Sequence, residues 1–406
     1  MKNDKPCFKA VILAGGSGER FWPLSTPERP KQFLRVFGGE SLIRQSVSRL
    51  GKLVSPEDVF VVTTKNLVAA TRKELPEIPH GNIIGEPMRR DTGAAVALGV
   101  ALASGPGLGS SRVNVESSSL RTTNPTPTNS TPTPIDPTKT LIDPTKTLND
   151  PTKTLIDPNS TLNDPIIGFF SSDQMVANAK AFQKTVAKAV ALACRKAAIV
   201  TIGIKPDCPA TGFGYISPKT RTFVEKPDED TAKKYVKAGY LWNAGMFIAR
   251  ASTFRAAFAA HAPALECLAN IGNGARPCSP AKLARIYNDL AKISFDYAVM
   301  EHAKNVEVVP GDFGWDDVGS FAAFDKYFPH DSRGNVREGP CTVVESGNNI
   351  CVARSARISL LGVNNLVVVT TPNFVLVAEK SRLTEMKKLF LRRIPRDSKS
   401  LICRDN

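Results

Sequence analysis

Ala10-Val-Ile-Leu-Ala-Gly-Gly-Ser-Gly-Glu-Arg-Phe-Trp-Pro-Leu-Ser25, with Pro30-Lys-Gln-Phe-Leu34 shortly after it, decides how the rest of the chain is read. A short apolar run, Val11-Ile-Leu13, enters a cluster of Gly15, Gly16 and Gly18, and Arg20 and Lys31 follow. That order predicts a buried strand running into a glycine loop whose backbone N–H groups can cradle phosphate, with two fixed cations alongside. Two other phosphate motifs are excluded. A dinucleotide fingerprint needs a third glycine that Gly16-Ser-Gly-Glu-Arg-Phe21 lacks, and a Walker loop ends in Gly-Lys-Ser/Thr, whereas Lys31 lies well beyond the glycines. The glycines alone fit a tight strand-to-helix turn equally well. Arg20 and Lys31 tip the reading toward a nucleotide.

Outward from this loop, elements alternate: helix over about Ser41–Leu50, strand Val59–Thr63, helix Leu67–Glu74, strand Ile83–Ile84 and helix Thr92–Ala103. Alternation of this kind predicts an α/β fold with an open, mostly parallel sheet, which binds ligands at the carboxyl ends of its strands. Residues about 104–164 break the pattern. They are rich in Ser, Thr, Pro, Asn and Asp and contain a seven-residue repeat, Ile135-Asp-Pro-Thr-Lys-Thr-Leu, with a proline at 137, 144, 151 and 158. Those prolines forbid a coiled coil, and the composition predicts a disordered or loosely extended insert. It joins a helix end to a strand start, so it is expected at the sheet edge opposite the catalytic one and to be tolerated there. The order resumes with strand Ile166–Phe170, helix Ala179–Cys194 with Phe182, Val186 and Val190 inward, and strand Ala198–Ile202. Further strands fit Gly212–Ile216, Thr222–Glu225 and Asn243–Ala249, and Asp228 opens a helix. Beyond Asn335 short β segments alternate with Asn-rich turns, then a basic helix around Lys387–Arg396. The expected organisation is a catalytic domain over 1–333 carrying the insert, a small β-rich domain with its terminal helix over 334–396, and a tail over 397–406.

Composition excludes several classes. The hydrophobic fraction of 42% is that of a globular protein. No apolar run approaches the roughly 18–20 residues of a membrane helix. The start of the chain shows no signal-peptide pattern, so a cytoplasmic location is expected. Eight scattered cysteines form no CxxC pair, and four isolated histidines, at 80, 261, 302 and 330, show no metal or triad spacing. The net charge of +15 suits acidic partners, but basic residues are not interleaved with aromatics. A phosphate-rich small substrate is therefore favoured over nucleic acid or membrane.

Several further segments carry a resemblance. They are Glu86-Pro87 with Arg90 and Thr92, Ser172-Asp173, Thr201-Ile-Gly-Ile-Lys-Pro206 and Pro209-Ala-Thr-Gly-Phe-Gly-Tyr-Ile216, followed by Phe223-Val-Glu-Lys-Pro227 and Leu241-Trp-Asn-Ala-Gly-Met-Phe247. Phe295-Asp-Tyr-Ala-Val-Met-Glu301 and Gly314-Trp-Asp-Asp-Val-Gly-Ser320 complete the series. Together with the opening stretch, they resemble the sugar-nucleotide pyrophosphorylases, and within these the mannose-1-phosphate guanylyltransferases. The resemblance implies a Rossmann-like (GT-A-type) sheet with a β-helix-like C-terminal unit, and a homodimer. The implied reaction is attack by the phosphate oxygen of mannose 1-phosphate on the α-phosphorus of GTP, with Mg²⁺, releasing pyrophosphate. The nucleophile is already an anion, so the scarcity of histidine does not count against it. Such an enzyme aligns two polyanions and neutralises charge.

The resemblance also implies roles. Arg20 and Lys31 become cations on the triphosphate. Leu13, Ala14, Gly15, Gly16, Ser17, Gly18, Glu86, Pro87, Arg90 and Thr92 hold the nucleotide. Gly212, Glu225, Lys226 and Asn243 hold the sugar phosphate. Asp173 and Asp317 hold the metal, Asp316 being the nearest rival to Asp317. Asp296 is read as complementing a helix dipole and is left out of the site. Two stretches depart from the family pattern: Arg89-Arg90-Asp91-Thr92 replaces Gly-Arg-Asn-Thr, and Gln174 replaces a histidine. The alternatives left open are another hexose 1-phosphate or base, and a non-catalytic sugar-nucleotide-binding homologue.

Overall fold

The computed structural model describes residues 7–16, 18–105, 164–271 and 279–392. Ser17, nearly all of the repeat insert, Arg393, Arg396 and the tail lie outside the described residues. The first half runs β1 (Phe8–Ala14), α1 (Leu42–Ser48), β2 (Val59–Thr64), α2 (Val68–Glu74), β3 (Ile83–Glu86) and α3 (Asp91–Ser104). After the insert come β4 (Ile166–Ser171), β5 (Met175–Val176), α4 (Ala179–Arg195), β6 (Ile199–Ile204), β7 (Tyr215–Ile216), β8 (Phe223–Val224), α5 (Glu229–Lys237) and β9 (Leu241–Arg250). Beyond the elements expected from the sequence stand α6 (Ala251–His261), α7 (Pro263–Ala269), α8 (Pro280–Asp289), a π-helical turn at Asp296–Met300 and β10 (Val306–Gly311). The chain then gives β11 (Trp315–Asp316) and α9 (Ala323–Tyr327).

The main sheet has the order β10-β6-β9-β4-β1-β2-β3, with β7 and β8 attached at β9. Every pairing along it is parallel except those of β9, which runs against β4 and β6. The expected mostly parallel α/β sheet is thus present. All six residues of β2 are buried, as a strand covered by helices on both faces requires. On one face α3 is buried nearly all round, because α6 and α7 pack outside it. On the other face α4 turns Phe182, Val186 and Ala189 inward and its lysines outward. Local caps set the helix starts: Ser41 for α1, Asn178 for α4 and Asp228 for α5 each accept a backbone N–H.

The C-terminal unit is a short β-helix built from β12 (Val336–Glu338), β13 (Cys341–Val344), β14 (Ile350–Ala353), β15 (Ile358–Leu361), β16 (Leu366–Thr371) and β17 (Phe374–Glu379). β12, β14 and β16 pair in parallel, β13 and β15 likewise, and β17 closes the larger sheet antiparallel. Asparagines stack at the corners. Asn349 Oδ1 accepts from Leu366 N–H, Asn335 Oδ1 accepts from Asn349 N–H, and Asn348 and Asn365 adopt left-handed φ. Its inner sheet contributes Ile350, Val352, Val367 and Val369 to a core shared with Phe21, Trp22, Leu34 and Phe37 of the segment after the glycine loop. The terminal helix α10 (Met386–Arg392) lies against Glu19–Phe21, with Lys387 paired to Glu19 at 3.7 Å. No helix among the described residues is long and apolar enough to cross a membrane.

The flanks of the insert meet at the amino-terminal edge of the sheet. Lys9 Nζ donates to Gly105 O at 3.5 Å, Phe8 pairs with Ile166, and Asp164 accepts from Ser252 N–H. The glycine loop leaves from the other edge. Replacing residues 107–162 with a short Gly/Ser linker is therefore expected to keep turnover within about twofold of the full chain, since loop closure depends weakly on length. Steady-state kinetics of the deleted form check this; loss of folding or activity would make the insert structural.

Candidate active site

The glycine loop begins where β1 ends and is tied down from below. Ala14 O accepts from Gln32 Nε2 and Thr63 Oγ1, each at 2.9 Å, and Leu13 O accepts from Ser172 N–H at 3.1 Å. Leu13 and Ala14 therefore lie in the strand ladder with their carbonyls engaged, and they place the loop. Gly15 passes beside Glu86 and Gly16 beside Asp173. Gly18 has φ +66°, and a Cβ there would stand 2.6 Å from Lys31 N, so only glycine fits. Ser25 Oγ donates to Gly18 O at 2.6 Å and closes the turn. Lys31 opens a 3₁₀ turn and is only 6% exposed. Its ammonium donates to Asp173 Oδ2 at 3.0 Å and to Asp317 O at 2.7 Å, and lies over the Phe21 ring.

The two acids meet because β5 and β11 pair antiparallel, Met175 opposite Asp316. Burial works to raise the Asp173 carboxyl, but Lys31, the Ser171 hydroxyl and Arg20 outweigh it and hold it below the ordinary range. Asp317 moves the other way. Burial raises it, Asp173 and Asp316 reinforce the shift, and Lys31 and Arg20 only partly oppose it. Asp316 is committed elsewhere: its Oδ1 accepts from Val318 N–H and its Oδ2 from Lys326 Nζ, both at 2.6 Å. Arg20 is exposed beside Gly319 and Asp317 and makes no hydrogen bond or ion pair among the described residues. No sequence signal singles out Arg49, yet it is buried and donates to Gln174 O at 2.6 Å, Ser171 O at 3.1 Å and Ser46 Oγ at 2.8 Å. Burial pushes its guanidinium down to about 10, against the pull of Asp173. Arg49 thus holds the turn that carries Asp173.

Among the described residues no cluster of three or more His, Cys, Asp or Glu is arranged to hold a metal. The acid pair fits a divalent ion whose remaining ligands are phosphate oxygens. Asp317's carboxylate receives no hydrogen bond from a described side chain or backbone N–H, and like charge beside it favours a cation.

On the β3 side, Glu86 is buried and its Oε1 accepts from Tyr287 Oη at 3.1 Å. Burial pushes the carboxyl up to about 7, the Tyr287 hydrogen bond and Arg89 opposing. A cavity of about 480 Å³ opens here, lined by Thr64, Lys65, Asn66, Glu86, Pro87 and Arg89. Arg90 and Thr92 point elsewhere. Arg90 Nε and Nη2 donate to Tyr287 O at 2.8 Å and Asn288 O at 3.1 Å, and Thr92 Oγ1 accepts from Phe295 N–H at 2.9 Å. Both side chains brace the segment against the end of α8 and the chain beyond it. Asp91 is held at φ 67° between them.

The residues expected to hold the sugar phosphate gather around β7, β8 and β9. Glu225 lies against the Cα of Gly214, where a Cβ would collide with its carboxylate. Gly214, rather than Gly212, is the glycine this packing requires; a Cβ on Gly212 would meet nothing within 4 Å. Lys226, at φ 46°, donates to Glu225 Oε1 at 2.7 Å. Glu225 N–H donates to Glu301 Oε1 at 3.0 Å. Asn243 Nδ2 donates to Asp296 Oδ1 at 2.8 Å, which ties Asp296 to β9.

With this geometry in view, comparisons place the chain. Residues 9–106 and 152–333 match the nucleotidyl transferase family, and residues 339–392 match the MannoseP isomerase/GMP-like beta-helix domain. The chain belongs to the nucleotidyl transferase family. It is 30% identical over 397 residues to mannose-1-phosphate guanylyltransferase RfbM of Salmonella typhimurium, covering 94% of this chain and 71% of that protein. It is also 30% identical over 391 residues to the xanthan biosynthesis protein XanB of Xanthomonas campestris, covering 93% and 72%. A crystal structure from Thermus thermophilus, described as mannose-1-phosphate geranyltransferase, superposes with a TM-score of 0.73 at 29% identity, covering 95% of this chain and 98% of that one.

Glu86 gives the site a pH signature. Its proton affinity in the fold lies above the ordinary 4.5, at about 7, so the folded chain keeps a proton that the unfolded chain releases. Stability is therefore lost as pH rises from about 4.5 through about 7, by an amount on the order of 3 kcal/mol. Glu86→Gln, which still accepts from Tyr287, is expected to gain on wild type from about pH 5 to about pH 8 in denaturant unfolding. A difference independent of pH would show that Glu86 is ionised throughout.

Proposed function

We propose that this chain transfers a guanylyl group from GTP to mannose 1-phosphate, forming GDP-mannose and pyrophosphate. One observation carries the proposal: Lys31 holds Asp173 and the backbone of Asp317 together, Arg20 lies beside Asp317, the glycine loop passes against Asp173 and Lys31, and Gln174, next to Asp173, donates to Ala244 O, the neighbour of Asn243. The named activity of relatives matched over nine-tenths of this chain supports the choice of GTP and mannose 1-phosphate.

In this reading Gly15, Gly16 and Gly18 pass under the triphosphate and offer backbone N–H groups without side chains in the way. Arg20, free of partners among the described residues, and Lys31 meet phosphate oxygens, and their charge offsets what builds up on the in-line transition state. Glu86 and Pro87 border the cavity for the base, where a carboxylate accepts from guanine N–H groups. Lys226 takes the phosphate of the sugar and Glu225 its hydroxyls, so the phosphate oxygen is presented to the α-phosphorus and the pyrophosphate leaves opposite. Asp173 and Asp317 would hold Mg²⁺, which neutralises the α-phosphate and favours the ionised nucleophile. A cytoplasmic location is part of the proposal and is supported by the free thiols of all six described cysteines.

Purified protein given Mg²⁺, GTP and mannose 1-phosphate is expected to yield GDP-mannose and pyrophosphate. Efficient turnover only with another nucleotide or another sugar phosphate would overturn the reading. Asp173→Asn is expected to lower kcat by roughly a hundredfold or more while nucleotide binding survives. Asp316→Asn, which loses an exposed ion pair to Lys326, should keep kcat within about threefold. A loss with Asp316→Asn as deep as that with Asp173→Asn would put Asp316 among the metal ligands.

A further inference from the structure

Asn243 on β9 has most of its hydrogen-bonding capacity engaged inside the protein. Its Oδ1 accepts from Gly245 N–H at 3.1 Å and from Thr201 Oγ1 at 2.9 Å, which turns Nδ2 toward Asp296 Oδ1 at 2.8 Å. One amide hydrogen remains. Asp296 Oδ2 receives no side-chain hydrogen bond from a described residue, although Asp296 is enclosed by protein and only partly open to solvent. Burial pushes this carboxyl up to about 7, the charge of Glu225 reinforces the shift, and Lys226 and Asn243 oppose it.

The backbone around it is unusual as well. Asp296 opens the π-helical turn Asp296–Met300, a rare geometry that is frequent at functional sites. The preceding residue, Phe295, is fully buried among Phe247, Phe254 and Phe258, so the position of Asp296 is rigidly set. Orienting Asn243 needs only an acceptor. A neutral one would serve, without crowding a second acid against Glu225 at a cost in stability.

We propose that Asp296 is a specificity-determining residue of the sugar-phosphate site, reading a ring hydroxyl of the hexose 1-phosphate through Oδ2 while Oδ1 holds Asn243. This rests on the assignment of Glu225, Lys226 and Asn243 to the sugar phosphate. Two carboxyl groups and one remaining amide hydrogen make a pocket for a polyol: the acids accept from hydroxyls and the amide donates to an oxygen. The phosphate of the same molecule is repelled by both acids and goes to Lys226. A buried acceptor left without its hydroxyl is costly, so such a site discriminates strongly against the deoxy analogue.

The test compares wild type with Asp296→Asn and Asp296→Ala. It uses the hexose 1-phosphate that wild type turns over fastest and the monodeoxy analogues of that sugar. Asp296→Ala is expected to raise KM for the hexose 1-phosphate roughly tenfold or more, leaving KM for the nucleotide and the melting temperature unchanged. One monodeoxy analogue, poorly used by wild type, should be used by Asp296→Ala about as well as the parent sugar. An unmoved sugar KM overturns the inference. So does a raised KM with discrimination against every deoxy analogue intact, because Asp296 would then only hold Asn243. If the alanine variant does not fold, Asp296→Asn carries the same comparison. Calorimetric titration with hexose 1-phosphates separates the two levels. Tight binding that Asp296→Asn does not weaken sinks this inference alone, whereas wild type that neither binds nor turns over any hexose 1-phosphate sinks the sugar-phosphate reading, and this inference with it.

Discussion

A buried ammonium group needs anionic or carbonyl partners, and Lys31 finds its two in segments 142 and 286 residues away, at Asp173 Oδ2 and Asp317 O. Meeting that requirement fixes three pieces of the molecule against each other: the glycine loop, the turn after β4, and the ribbon of β5 and β11. Without the lysine the pair would lose the cation that acts on both acids and lies nearest to them, leaving Arg20, with Arg49 and the Ser171 hydroxyl acting on Asp173 alone. With it, one carboxyl is held ionised and the other remains without a hydrogen-bond donor among the described residues. The same contacts that stabilise the fold therefore leave the cleft prepared for positive charge beside an incoming polyanion.

The segment carrying Arg20 and Lys31 has little regular hydrogen bonding of its own, being two 3₁₀ turns joined by irregular chain. Its rigidity comes from apolar burial on the far side. Phe21, Trp22, Leu34 and Phe37 enter a core whose other wall is the inner sheet of the β-helix, with Val318, Phe321 and Phe324 between. Phe321 follows the Asp317 segment closely, so one cluster backs both the cationic loop and an acid of the site. The β-helix is thus a wall of the active cleft's support as well as a separate unit of structure. Its stacked asparagines matter for the same reason: they tie successive corners of the β-helix on which the loop rests.

Local pattern made much of this legible. The run from Val11 to Gly18, the strand–helix alternation, and the Asn-rich turns of the C-terminal unit each depend on neighbours in sequence, and the elements appear at nearly the expected bounds. What could not be read depends on chain direction in space. Asp316 and Asp317 are adjacent acids of identical type, and only the pairing of β11 with β5 sends one to Lys326 and the other toward Arg20. Arg90 and Thr92 sit inside a family motif, yet α8 offers its terminal carbonyls to Arg90 and the chain beyond it binds Thr92. Arg49 lies on no motif, and its role exists only because β4 ends beside α1. Asp296 lies within the Phe295–Glu301 motif, but its contact depends on β9 presenting Asn243 to it.

Burial raises the carboxyls of both Glu86 and Asp296 to about 7. A fold selected for stability alone would replace such groups with amides, which keep the hydrogen bonds to Tyr287 and Asn243 without the charge. Their presence at the carboxyl edge of the sheet, and not in the core beneath it, argues that the cost is borne for recognition. Each acid is anchored through one oxygen to a protein donor, Tyr287 or Asn243, leaving the other without a side-chain hydrogen bond from a described residue. A carboxyl anchored in this way is oriented before any ligand arrives, so binding does not have to order it. In the proposed reading, this preorganisation serves to receive a base beside Glu86 and a sugar beside Asp296 while the charged centre aligns their phosphates.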